Sequence, residues 1–315
     1  VCTTKVTDMS QLFSGLTNFN DDISSWDVSN VTDMSDMFTF TPFNQPIGSW
    51  NVSNVTTMSK MFFRSKSFNQ NIGSWDVGNV KTMDRMFAEE IITSGPHPFN
   101  QDISSWNVSN VTNMSRMFFN SLYNKPLNNW DVSSVTDMSG MFFLSQFNQS
   151  IGNWDVSNVT DMTEMFVGNR QFNQPIGNWN VSNVSRMKSM FNYSIFNQPI
   201  GNWDVSSVTD MSFMFSYSSF NQDIGSWDVS QVMTMEGMFN SVDIYVNVDP
   251  NPFNQDISLW DVSSVTNMSF MFAHSYFNQD LNTWDVGNVT ICNGFNMTSS
   301  EWTLPKPNFT NCNPD

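Results

Sequence analysis

One phrase, FNQPIGNWDVSSVTDMSFMF at residues 196–215, recurs along the 315-residue chain, and each of its eleven copies centres on one tryptophan. These are Trp26, Trp50, Trp75, Trp106, Trp130, Trp154, Trp179, Trp203, Trp227, Trp260 and Trp284. The step is 24 or 25 residues, except 31 from Trp75 to Trp106 and 33 from Trp227 to Trp260. A unit this short cannot bury its own apolar face. The chain must therefore stack its units, and a period in this range points to a repeat architecture without a single central core.

Each position of the phrase can be named by its offset from Trp. Seven before is aromatic in all eleven copies (Phe19 to Phe277, with Tyr123 once), and six before is always Asn. Two after and five after are always Val, eight after is Met in ten copies, and eleven and twelve after are Met-Phe in ten. Trp-x-Val alternates with period two, which predicts a very short strand with Trp and Val pointing inward and pairing in parallel between units. V-x-x-M-x-x-M-F has apolar spacings of three and four, which predicts one or two helical turns, α or 3₁₀, with Ser or Thr as N-cap. F-N-Q-x-I reads as a turn. The fold class expected is an α/β repeat solenoid with short parallel strands on one side and short helical turns on the other. Eleven units at about 4.8 Å would stack to roughly 50 Å. An invariant Asn inside such a coil needs partners for its amide, and a ladder along the stack would supply them.

The chain divides into an incomplete first coil (1–18), an eleven-repeat body (19–291) and a tail (292–315) where the phrase decays. Two insertions, 88–98 and 240–252, interrupt the body at the same point, between the Phe that ends one phrase and the Phe that begins the next. Both should leave the stack on the same face, where solenoids often place function; tolerated surface loops without a role fit the same pattern.

Charge narrows the partners. Acids outnumber bases 29 to 12, a net −17, which opposes nucleic acid and anionic lipid surfaces. No 18-residue apolar run offers a membrane-spanning helix. The sequence begins at Val1 without Met, which fits a processed or partial chain. Of three cysteines, Cys292 and Cys312 bracket the tail and read as a disulfide formed in an oxidising compartment. Cys2 is left free, paired between chains as an intermolecular thiol, or paired with a cysteine elsewhere.

Candidate sites follow from the same columns. N-x-S/T sequons are expected to carry glycans at Asn30, Asn54, Asn110, Asn158, Asn183, Asn192, Asn288, Asn296 and Asn308, although the phrase itself spells N-V-T for reasons of folding. Asn148 lies in the Asn ladder and is expected to stay unmodified. The Asp or Asn after each Trp suits an Asx turn better than a calcium column, because Asn substitutes freely. The paired methionines occupy core positions and read as packing, not copper ligands. The two histidines, His97 and His274, lack the neighbours of a triad or zinc site. The sequence offers no catalytic set, metal site or cofactor motif.

At F-N-Q-x-I-x-x-W-D-V-S-x-V-T-x-M-x-x-M-F, over residues 6–296, the chain resembles the BspA-like leucine-rich-repeat surface proteins. The resemblance implies a right-handed solenoid, secretion to the cell surface or beyond, and a role in adhesion or surface architecture, with no catalytic residues. The expectation is thus a non-catalytic extracellular structural or adhesive glycoprotein, self-associating head to tail into filaments. The alternative is a binding module that holds a glycan or a host protein on its strand face or insertions.

Overall fold

The strands and helical turns expected from the sequence do not form as regular elements. In the computed structural model, which describes residues 3–90, 92–242 and 249–315, the sole regular element among the described residues is a 3₁₀ turn at Ile92–Ser94, inside the first insertion. Each repeat is instead a series of tight turns. Trp50 N–H donates to the Ile47 carbonyl at 3.1 Å, Val55 to Val52 at 2.9 Å and Met61 to Met58 at 3.1 Å. The apolar spacing of three therefore comes from successive i→i+3 turns. What prevents their merging into a helix is a left-handed residue ten and fourteen after Trp in most repeats, such as Lys60 (φ 55°) with Arg64 (φ 56°) and Phe213 (φ 57°) with Tyr217 (φ 51°). That conformation costs a side-chain-bearing residue about 1–2 kcal/mol. It is offset by turning alternate N–H groups outward, onto the next repeat. Met34 donates to the Thr57 carbonyl, Asp36 to Ser59, Phe38 to Met61 and Phe40 to Phe63, at 2.9–3.1 Å.

Parallel pairing between repeats does occur, but not at Trp-x-Val. It is a ladder of isolated bridges, one residue wide, seven after Trp: Asp8, Asp33, Thr57, Thr82, Asn113 and Asp137 in the first of two compact units (Val1–Asn158), and Asp161, Arg186, Asp210, Thr234, Asn267 and Ile291 in the second (Val159–Asp315). The core of each unit is periodic. Nearly all the phrase's Val, Met, Phe, Ile and Trp side chains are buried. The Phe that ends each phrase stacks on the Phe that begins the next, as in Phe62–Phe68 (3.7 Å) and Phe191–Phe196 (4.2 Å). The indole N–H of each Trp from Trp50 to Trp154 donates to the Ile or Leu carbonyl three before the preceding Trp, at 2.9–3.3 Å, and Trp203 to Trp284 do likewise. Trp is thus both filler and register pin: its buried polar handle finds an acceptor in the preceding repeat, adding a second bond to a carbonyl that already closes the turn to its own Trp N–H.

The Asn ladder forms, with one correction. Each Asn side-chain oxygen accepts the backbone N–H of the equivalent Asn one repeat on, as in Asn20→Asn44→Asn69→Asn100→Asn124→Asn148 at 2.9–3.0 Å. These residues are half-buried or exposed, not interior. The ladder lies on the outside of the turn, where water shares the polar load.

Both insertions leave between members of a stacked Phe pair. Phe87 and Phe99 remain 4.0 Å apart around 88–98, and Phe239 and Phe253 remain 3.9 Å apart around 240–252. Their exits are built alike. His97 and Asn251 each make an extra parallel bridge, to Ser121 and Ser275. His97 Nε2 meets the Phe62 carbonyl at 3.0 Å, and Asn251 Nδ2 donates to the Phe215 carbonyl at 2.8 Å.

Candidate binding site

The position fourteen after Trp is where the phrase varies most: Phe40, Arg64, Glu89, Asn120, Leu144, Gly168, Tyr193, Tyr217, Ser241, His274 and Thr298. Its backbone is fixed in most repeats by the left-handed turn, so the side chain is free to change. In the second unit two successive repeats place tyrosines there. The Tyr193 and Tyr217 rings stack with centroids 4.2 Å apart and planes 6° apart. Gly168 precedes them in the column and Ser241 follows, so the pair is flanked by a glycine and a small side chain.

These tyrosines form one side of an open recess of about 650 Å³. Ser218, Ser219 and Ser241 lie along it, and among the described residues Arg170, Tyr276, Asp249, Pro250 and Pro252 also line it. Tyr193 is 39% and Tyr276 49% exposed. The walls are held firmly. The Tyr217 hydroxyl donates to the Val242 carbonyl at the root of the second insertion. Asn251, 1% exposed, accepts the Phe253 N–H at 3.1 Å and donates its own backbone N–H to the His274 carbonyl at 2.9 Å, and Tyr276 N–H returns to the Asn251 carbonyl at 2.9 Å. Arg170 and Asp249 are exposed, and among the described residues neither makes an ion pair or side-chain hydrogen bond. Two aromatic faces, the exposed Ser219 hydroxyl, one free cation and one free anion converge on a concave surface, the usual make-up of a ligand site.

In the recess of the first unit, about 270 Å³ beside Phe40, Arg64 and Lys66, the guanidinium is engaged within the chain. The Arg64 guanidinium sits 3.9 Å over the Phe40 ring and 3.5 Å from buried Glu89. At the root of the first insertion Glu90 pairs with Arg85 at 2.9 Å and Arg116 at 3.5 Å, above an outer apolar cluster of Phe63, Ala88, Phe119 and Phe143. His97 is fully buried, and burial pushes its pKa down to about 4, with the Phe62 carbonyl opposing the shift. That insertion is stapled down.

The residues singled out from sequence fall elsewhere. The side-chain amides of Asn30, Asn54, Asn110, Asn158 and Asn288 are exposed, but each Nδ2 donates to a backbone carbonyl of the preceding repeat at 2.7–2.8 Å. Asn183 is exposed, Asn192 and Asn296 are half-buried, and Asn308 in the tail is exposed with no side-chain hydrogen bond. The Asp after Trp forms an Asx turn, as Asp204 does by accepting the Ser206 N–H at 3.1 Å, and that bond with the Ser206 hydroxyl holds the Asp204 carboxyl below its ordinary pKa. Cys292 and Cys312 are bonded. The tail they anchor lies over the last repeat, with Trp302 buried against Phe272 and Phe277 and Phe309 against Phe295. Cys2 and residues 243–248 of the second insertion lie outside the described residues. Among the described residues no group of three or more His, Cys, Asp or Glu side chains converges as a metal site, and no helix is long and apolar enough to cross a membrane. Sequence reading missed the recess. Three of the chain's five tyrosines line it, and two of them, Tyr193 and Tyr217, stand in the variable column where sequence could have pointed to them.

A family model described as "Mycoplasma protein of unknown function, DUF285" matches residues 2–95, 91–152, 143–249 and 247–309. Among solved structures an internalin from Listeria monocytogenes is similar at 9% identity, covering 92% of this chain and 78% of that one, with a TM-score of 0.19. None of the curated proteins matches.

Proposed function

Because the chain belongs to the DUF285 family, whose description assigns no activity, we propose from its own surface that it is a non-catalytic, extracellular adhesive protein that holds a partner in the tyrosine recess of its second unit. The open recess carries this reading: it is the place where exposed aromatic rings and uncommitted charges share one concavity. The repeats act as the frame, read as a leucine-rich-repeat-like right-handed solenoid of the BspA-like kind, and the variable column supplies the contacts. The Cys292–Cys312 bond and the sequons support an extracellular setting. Replacing Tyr193 and Tyr276 together with Ala should abolish attachment of the purified protein to cells or extracellular matrix, while leaving its thermal unfolding unchanged. Attachment at wild-type level in that variant overturns the reading.

A second reading is architectural, with copies adding head to tail into filaments. An end-to-end contact of this kind propagates unless it closes. The tail packed over the last repeat favours recognition over propagation through that face. Short monodisperse particles at high concentration in electron micrographs are the expected result; long filaments would favour the architectural role.

A further inference from the structure

We propose that the recess takes a neutral oligosaccharide, with one sugar ring lying on the Tyr193 face. This rests on the reading of the recess as the binding site and adds the chemical class of its ligand. Sugar rings present a flat patch of C–H groups rimmed by hydroxyls. They suit aromatic faces that are open to solvent, rigid and set beside hydrogen-bonding groups of both kinds. Tyr193 meets these conditions. Tyr217 backs one side of its ring at 4.2 Å, and in the repeat on its other side the column position is Gly168, which brings no side chain. Tyr276, half exposed, offers a second ring across the recess. Around them the guanidinium of Arg170 is a pure donor, the carboxylate of Asp249 a pure acceptor, and the exposed Ser219 hydroxyl is both, which is the mixture that neighbouring sugar hydroxyls require.

Charge decides between saccharide classes. Arg170 and Asp249 cancel locally, while the chain carries −17, so an acidic saccharide meets an opposing field with a single cation to hold it. A cationic ligand would find Arg170 in the wall. A neutral, polyhydroxylated ligand has neither difficulty. A proline-rich peptide is the rival for aromatic grooves, but Pro250 and Pro252 of the chain itself already form the facing wall.

The test uses the full chain. An array of neutral oligosaccharides built of glucose, mannose, galactose and N-acetylglucosamine is screened beside acidic oligosaccharides and proline-rich peptides, and the best neutral binder is titrated by saturation-transfer NMR. The expected result is binding of a neutral oligosaccharide, weakened roughly tenfold or more by Tyr193→Ala and by Tyr276→Ala. Tyr193→Trp should restore it, and Arg170→Gln, at an exposed and unpaired position, should weaken it without touching the fold. Neutral binding indifferent to these substitutions overturns the proposal, as does no neutral binding up to millimolar concentration. If acidic sugars or proline-rich peptides bind at Tyr193 instead, or if cell attachment depends on Tyr193 while no neutral sugar competes, the saccharide assignment fails and the recess stands. If attachment also ignores Tyr193 and Tyr276, both fail.

Discussion

Two core residues seven apart in the chain show how differently the interior treats polar groups. Trp130 donates its indole N–H to the Ile103 carbonyl at 3.1 Å. Tyr123 stands where the other repeats have Phe, and its buried hydroxyl has no hydrogen-bond partner, lying beside the same Ile103 carbonyl that Trp130 already occupies. Burial pushes its pKa up. Trp130→Phe should cost about 2–3 kcal/mol, since it removes both volume and one of the two donors to the buried Ile103 carbonyl, the other being the Trp106 N–H at 3.1 Å. Tyr123→Phe should instead gain about 1 kcal/mol by deleting an unsatisfied hydroxyl. Urea unfolding of the two variants checks the contrast, and a loss of stability in Tyr123→Phe would show that the hydroxyl finds a partner. The invariance of Trp was legible as packing. Its role as a register pin was not, because a hydrogen bond to a neighbouring unit leaves no mark on spacing.

Among the turns, the sequence revealed the period and the inward residues but misassigned their backbone. A spacing of three is shared by a helical turn and by a train of separate turns, and only backbone conformation separates them. The deciding residues are the left-handed ones, which in this chain are mostly not glycine and so give no warning. Where glycine does appear it is informative. A Cβ added to Gly237 (φ 56°) would fall 2.5 Å from the Phe213 ring of the preceding repeat. Gly237→Ala should therefore destabilise by about 2 kcal/mol, and adding Phe213→Ala should remove the steric part in a double-mutant cycle. Strict additivity of the two would mean that the ring and the glycine are not coupled.

The exit of the first insertion adds a pH dependence. His97 has a folded pKa of about 4, below the unfolded value of roughly 6.5. The unfolded chain takes up the proton first, so the stability associated with neutral His97 is complete above about pH 6.5 and is lost as pH falls towards 4. The full loss is about 3 kcal/mol. His97→Asn, which copies the Asn251 solution of the second insertion, should flatten unfolding free energy across that window. An unchanged slope would assign the effect to other groups. The Asx-turn aspartates, held below their ordinary pKa by serine donors, act in a lower window, losing their contribution only as pH falls below about 4.

For the molecule as a whole, the sequence indicated a repeat body with a cysteine-locked tail, and the structure has both. The Cys292–Cys312 bond spans a sequence separation of 20, and removing it with Cys292→Ser and Cys312→Ser should cost about 3 kcal/mol. The tail should then become open to limited proteolysis before the repeats do; simultaneous cleavage would mean that the tail is held without the bond. Secretion from a eukaryotic host should place a glycan at Asn308, whose amide is free, ahead of Asn54 or Asn110, whose amides serve the stack. Site mapping by mass spectrometry reads this directly.

The stacked phenylalanines that bracket each insertion have an evolutionary consequence. With both ends of an insertion pinned to one ring pair, chain added between them leaves the repeat register intact. Its entropic cost grows only logarithmically, about 1 kcal/mol for lengthening four linking residues to the eleven of 88–98. The same aromatic pair recurs at every junction from Phe38–Phe43 to Phe272–Phe277, with Tyr123 in place of Phe once, so each of these junctions is a permissive site for loop growth. New surface can be tried at any of them by near-neutral drift, and a foreign peptide grafted between Phe215 and Phe220 should be displayed without redesign of the scaffold.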